Sequence, residues 1–103
     1  MTPPIISIFN HAGGFAENKD VARQLREDVI ILALQNGQEV IIDFGQVSGT
    51  TQSFVHALIS GPIRQFRAVA LDNLCFKNCN ADVQAVIRIV FAYMQESLDI
   101  SEE

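Results

Sequence analysis

Charge is scarce in this chain. Asp, Glu, Lys and Arg make up 18% of the residues, below the roughly 25% of an average globular domain. Basic residues are the scarcer kind: seven Lys and Arg stand against twelve Asp and Glu, for a formal net charge of −5. An acidic chain repels phosphate backbones, so free-standing nucleic-acid binding is not expected. The arginines, Arg23, Arg26, Arg64, Arg67 and Arg88, are scattered, with no basic stripe interleaved with aromatics. Long hydrophobic runs are missing as well. No apolar stretch nears the ~20 residues of a membrane span. The first six residues lack a basic region followed by a long apolar one, which argues against a secretory signal. Two cysteines, Cys75 and Cys79, do not make the disulfide framework of a small secreted domain. Repeats, low-complexity segments and linkers are also absent. The expectation is a cytoplasmic protein with no nucleic-acid and no membrane partner.

What is present is apolar. Residues of that kind make up 49% of the 103, enough for one core and one domain. So few charges leave apolar surface for a partner, and a domain this short gains more from association than a large one does. Residues 5–9, a β-branched run after two prolines, predict a first strand. A loop over residues 10–15 follows, with Asn18 or Asp20 to cap a helix. Val21, Leu25, Val29 and Leu32 mark that helix's apolar stripe, and Asn36-Gly37 ends it. Residues 39–44 form the strongest strand, whose unbroken Val40-Ile41-Ile42 centre suits a strand covered on both faces. After a polar loop, residues 53–59 predict a short helix with Phe54, Ala57 and Leu58 inward. Gly61-Pro62 interrupts it and opens a fresh helical piece. The third strand falls at about residues 73–78, and Asn80 caps a last helix with Val83, Val86, Ile87, Val90 and Met94 on one stripe.

The order β-α-β-α-β-α implies an α/β fold: a small sheet, mainly parallel or mixed, with helices packed on it. Residues 1–96 make a single domain and residues 97–103 an acidic tail, expected to fray. Ile89, Phe91 and Tyr93 lie off the last helix's main stripe. Either that helix is wedged deep in its own fold, or it carries a docking or dimer face.

Val40-Ile41-Ile42-Asp43-Phe44-Gly45-Gln46-Val47, followed by Thr51-Gln52-Ser53-Phe54, resembles the STAS-like domain family of unknown function. Ala22-Arg23-Gln24-Leu25-Arg26 agrees, as does Leu74-Cys75-Phe76-Lys77-Asn78-Cys79 leading into Val83 and Val86-Ile87. The resemblance extends over nearly the whole chain. That family looks like a short relative of the STAS domains of anti-sigma-factor antagonists and sulphate transporters. In the antagonists a loop with Asp-Ser-Ser-Gly carries a serine that an ATP-binding partner kinase phosphorylates, and the added charge breaks a complex. On this chain Thr51 takes the place of the Asp and Gln52 that of the phosphorylated serine. Ser53 matches the second serine, and Phe54 replaces the glycine. The phosphoacceptor itself is missing, although the docking surface can survive its loss.

The candidate docking or modification residues are Asp43, Thr50, Thr51, Gln52, Ser53 and Phe54. Ser48, Thr50, Thr51 and Ser53 bring hydroxyls to a helix start, where capping is the favoured role and an anion-binding rim the other. Asp43 has no second carboxylate beside it in sequence and is expected to bond loop amides such as those of residues 45–47. Gly13-Gly14 lacks a phosphate-cradle pattern and predicts a tight turn. Cys75 and Cys79, with His11 and His56, do not have zinc-site spacing. Cys79 precedes a helix, where the dipole can lower a thiol's pKa. Ser53 and His56 lie three apart, but no Gly-x-Ser-x-Gly elbow surrounds the serine.

No cofactor or metal is implied. The reading is a non-enzymatic, regulatory protein-binding module in a bacterial signalling or partner-switching system. The resemblance points to an ATP-binding, histidine-kinase-like protein as partner, and a homodimer is a further option. The rival is a small nucleotide-binding protein or enzyme using Gly13-Gly14, Asp43 and Cys79.

Overall fold

Residues 3–101 are described in the computed structural model, with side chains to residue 95. Three parallel strands, β1 (Ile5–Ser7), β3 (Val40–Asp43) and β5 (Leu74–Lys77), form a sheet in the order β1-β3-β5. Ile41 lies opposite Ile5 on one side and Cys75 on the other. β3 is the central strand, and its Val40, Ile41 and Ile42 are all buried. The unbroken apolar triplet in the sequence is thus a strand covered on both faces. The small parallel α/β fold stands as expected from the sequence, with helices packed on the sheet.

Several elements differ from the expectation. β1 stops at Ser7, and residues 8–12 form a short helix, α1 (Ile8–Ala12), instead of continuing the strand. Ser7 Oγ accepts from Asn10 N–H at 3.3 Å, so a cap sits inside the β-branched run and turns it helical. Gly13, at φ +79°, then closes α1. A second sheet of two residues per strand pairs β2 (Phe15–Ala16) with β4 (Gly49–Thr50), in parallel. Strands so short carry no alternation to detect. A Cβ at Gly49 would lie 2.9 Å from Phe15 Cε1, so the half-exposed Phe15 ring would have to shift to admit one.

The first long helical stretch also changes phase. α2 (Lys19–Leu25), capped by Asn18, runs into a π-helical turn at Arg26–Ile30 and then into α3 (Ile31–Gln35). A π turn inserts one extra residue into the helix. The buried stripe therefore passes from Leu25 to Ile30, Ala33 and Leu34, and Leu32 is left 53% exposed instead of inward.

α4 (Gln52–Phe66) runs unbroken through Gly61-Pro62, where the sequence suggested two pieces. Val55, Leu58, Ile59 and Ile63 are fully buried on both sides of the proline. Each such side chain contributes roughly 1.5–3 kcal/mol on burial. That outweighs the ~3 kcal/mol cost of one helical proline. A further short helix, α5 (Ala68–Asn73), leads into β5. α4 packs against both α2 and the last helix, α6 (Ala81–Ser101). α6 extends into the segment assigned to the tail, and residues 102–103 lie outside the described residues. Among the described residues, no helix is long and apolar enough to cross a membrane.

Candidate functional site

Polar residues gather where β3 ends. Asp43 Oδ1 accepts from Gly45 N–H at 2.7 Å and from Asn78 Nδ2 at 3.0 Å, joining the ends of β3 and β5. Asn78 holds the left-handed backbone conformation, φ +58°, that asparagine tolerates. The Asn78 amide, then the Gly45 N–H, hold the Asp43 carboxyl below the usual carboxylate range, with a smaller contribution from Lys77. The loop-amide bond foreseen for Asp43 is the one to Gly45. A depressed folded-state pKa means stability that is present above the unfolded value near ~3.9 and lost as pH falls through the folded value. Asp43→Asn keeps an acceptor oxygen but cannot titrate. Its urea midpoint is expected to fall less steeply than the wild type's between about pH 4 and pH 2. Equal slopes would show that Asp43 has no such linkage.

Asn80 joins this loop to α6. Its Oδ1 accepts from Val83 N–H at 2.8 Å, the cap expected from sequence, and its Nδ2 donates to Ser48 O at 2.9 Å. Ser48 in turn donates from its backbone N–H and its Oγ to Gly14 O. Gly13-Gly14 is thereby a turn tied to the neighbouring loop. Cys79 differs from the dipole-activated thiol considered above. Partial burial, then the nearby Asp43 charge, push its pKa up, so the neutral thiol is favoured.

The structure separates the six candidate residues. Phe54 is fully buried and belongs to the core, so it presents nothing to a partner. Thr50 is buried, and its hydroxyl donates to Ala16 O at 2.7 Å. Thr51 caps α4, its Oγ1 accepting from Phe54 N–H at 3.1 Å. Gln52 and Ser53 are exposed in the first turn of α4, and of the loop's candidates these two reach solvent most freely.

Both open onto a groove of about 590 Å³ between α2, α4 and α6. Lys19, Arg23 and Arg26 line one wall. Ser53, His56 and Ser60 line the floor. Ile89 and Tyr93, 45% and 71% exposed, stand on the α6 side. Arg26 also supports the groove, because its Nη1 donates to Ala57 O at 3.2 Å and so ties the π turn to α4. In sequence the arginines look scattered. The signal was available in the spacing 19, 23, 26, which is i, i+4, i+7 and puts three cations along one helical face. Of the off-stripe residues of α6, Phe91 packs edge-on against Phe76 with centroids 5.7 Å apart, while Ile89 and Tyr93 stay outward. One helix thus serves the core and the surface together.

These features define a class: a small parallel α/β domain whose polar strand-end loop feeds a helix start beside a groove. The chain belongs to the STAS-like domains of unknown function, the description of the family model that matches residues 21–84. The match is narrower than the resemblance drawn from sequence. It takes in β3, the loop, α4 and β5, but stops in the first turn of α6, before Ile89 and Tyr93. Comparisons with curated proteins and with solved structures each returned no match.

Proposed function

We propose that this STAS-like domain is a regulatory module that docks on another protein through the α2–α4–α6 groove and does not itself catalyse a reaction. One observation carries the reading: the exposed first turn of α4, Gln52 and Ser53, opens directly beside exposed Ile89 and Tyr93. Polar groups at a helix start next to unpaired apolar side chains form a surface that gains from being covered. The resemblance to anti-sigma-factor antagonists supports an ATP-binding, kinase-like protein as the partner. Ser53 is the hydroxyl such a partner can reach, since Thr51's is engaged in the cap.

The nucleotide-binding rival draws less support. Asp43 is already occupied by Gly45 and Asn78, and the Cys79 thiol is biased toward its neutral form. The test is hydrogen–deuterium exchange on the complex with a partner purified from native cells. Protection over residues 52–56 and 89–93 is expected. Protection elsewhere, or no protein partner together with a thermal shift produced by ATP, would sink the reading.

A further inference from the structure

The groove is cationic in an acidic protein. Three of the seven basic residues of a chain with net charge −5 face it, and no Asp or Glu is among the side chains described as lining it. The opposite wall is apolar, from Ile89 and Tyr93. An occupant that satisfies both walls carries carboxylates on one side and an apolar side chain on the other. We infer that the groove takes an acidic peptide segment of a partner protein. Its carboxylates lie toward Lys19 and Arg23, and its apolar residue lies against Ile89 and Tyr93. The inference rests on the docking reading above and adds the partner's chemistry to it.

Charge complementarity decides for this occupant. Carboxylates farther than about 8 Å are screened at physiological salt, so the acidic groups that bear on the groove are Asp20 and Glu27, which contact Arg23 and Arg26. Arg23 pairs with Asp20 at 3.2 Å, but both side chains are largely exposed, 56% and 87%. Exposed pairs of this kind are weak, so an incoming carboxylate can take the place of Asp20. Arg26 stays in position, held by Ala57 O and by Glu27 at 2.9 Å. Its charge is countered by Glu27, so Arg26 shapes the wall while Lys19 and Arg23 give it its cationic character.

The test uses the full chain and a fluorescent probe peptide in which glutamates flank a leucine, with a lysine-for-glutamate peptide and inorganic phosphate as controls. Binding is read by anisotropy and by amide shifts in ¹⁵N-labelled protein. The acidic peptide is expected to bind and to shift residues 19–26, 52–57 and 89–93, while the lysine peptide does not. The double variant Lys19→Glu/Arg23→Glu is expected to weaken binding about tenfold or more. Tyr93→Ala should weaken it independently of salt. All three side chains are exposed, and circular dichroism checks that the variants fold. Unchanged binding by the double variant, or equal binding of the lysine peptide, overturns the inference. So does phosphate that reproduces the shifts and displaces the peptide, which makes this a simple anion site. A dimer in light scattering that the double variant dissolves overturns it in favour of a second copy. If the probe fails while exchange still maps a protein partner to the groove, the inference falls and the docking reading stands. If no protein protects the groove, both fall.

Discussion

Phe54→Ala is expected to destabilise the protein by about 3–5 kcal/mol, whereas Ser53→Ala, one residue away, changes stability by less than about 0.5 kcal/mol. The contrast follows from burial. Phe54 is fully enclosed and sits in the same core as Val55, Leu58 and Ile59, while Ser53 faces solvent. Truncation to alanine loses the transfer free energy of the ring and leaves a cavity that a packed core closes only in part. For a small domain, whose whole stability is about 5–15 kcal/mol, that is a large share. Urea denaturation of the two variants checks it through their midpoints at unchanged slope. The result bears directly on function. In the resemblance to anti-sigma-factor antagonists, Phe54 stands where a glycine follows the serines. Here the phenylalanine anchors the first turn of α4 into the core, and the exposed Gln52 and Ser53 are held over the groove. A Phe54→Ala variant within about 1 kcal/mol of wild type would refute that anchoring role.

Pro62→Ala is expected to stabilise the protein by about 1–2 kcal/mol. Pro62 is buried well inside α4, four residues short of its end at Phe66. A proline at such a position lacks the N–H for the Leu58 carbonyl and costs ~3 kcal/mol relative to alanine. Removing the ring gives up the burial of about two methylenes, at ~0.8 kcal/mol each, and the restored hydrogen bond exceeds that loss. In a domain of this size the melting temperature should rise by several degrees, since about 1 kcal/mol corresponds to roughly 4–8 °C. A lower melting temperature would mean that the ring's packing outweighs the backbone cost. Gly61 just before it has a separate reason to be small. A Cβ there would come within 3.3 Å of Arg26 Cδ, crowding the guanidinium stem that crosses from the π turn to α4. Gly61 and Pro62 therefore look like a helix break in the sequence and act as a crossing point in the fold.

The order of the three main strands and the long helices between them, Asn18 as one of two cap candidates, the cap at Asn80, the turn at Gly37 and the doubly covered β3 were legible. Each depends on residues close together in the chain: a β-branched run, an amide at a helix start, a glycine at positive φ. The site was legible only in part. The bond from Asp43 to the Gly45 amide follows from two residues of separation, but its partner Asn78 is 35 residues away. Helical spacing turned Phe54 inward, while the motif resemblance set it among the docking candidates; its full burial decides for the core, because a motif match says nothing of which side chain faces a partner.

By itself, the sequence determined that this protein is a small acidic α/β domain, since periodicity, capping and composition act over a few residues and survive any arrangement of the whole, and its likeness to the STAS-like family rested on a short motif around β3. The tertiary structure decided the rest. Packing on both sides of Pro62 kept α4 continuous, and the π turn at Arg26–Ile30 moved Leu32 to the surface. Only the folding of α2, α4 and α6 against one another placed Lys19, Arg23 and Arg26 across from Ile89 and Tyr93. Those residues lie some seventy positions apart, and contacts at that distance depend on burial summed over the entire core, which no local pattern records.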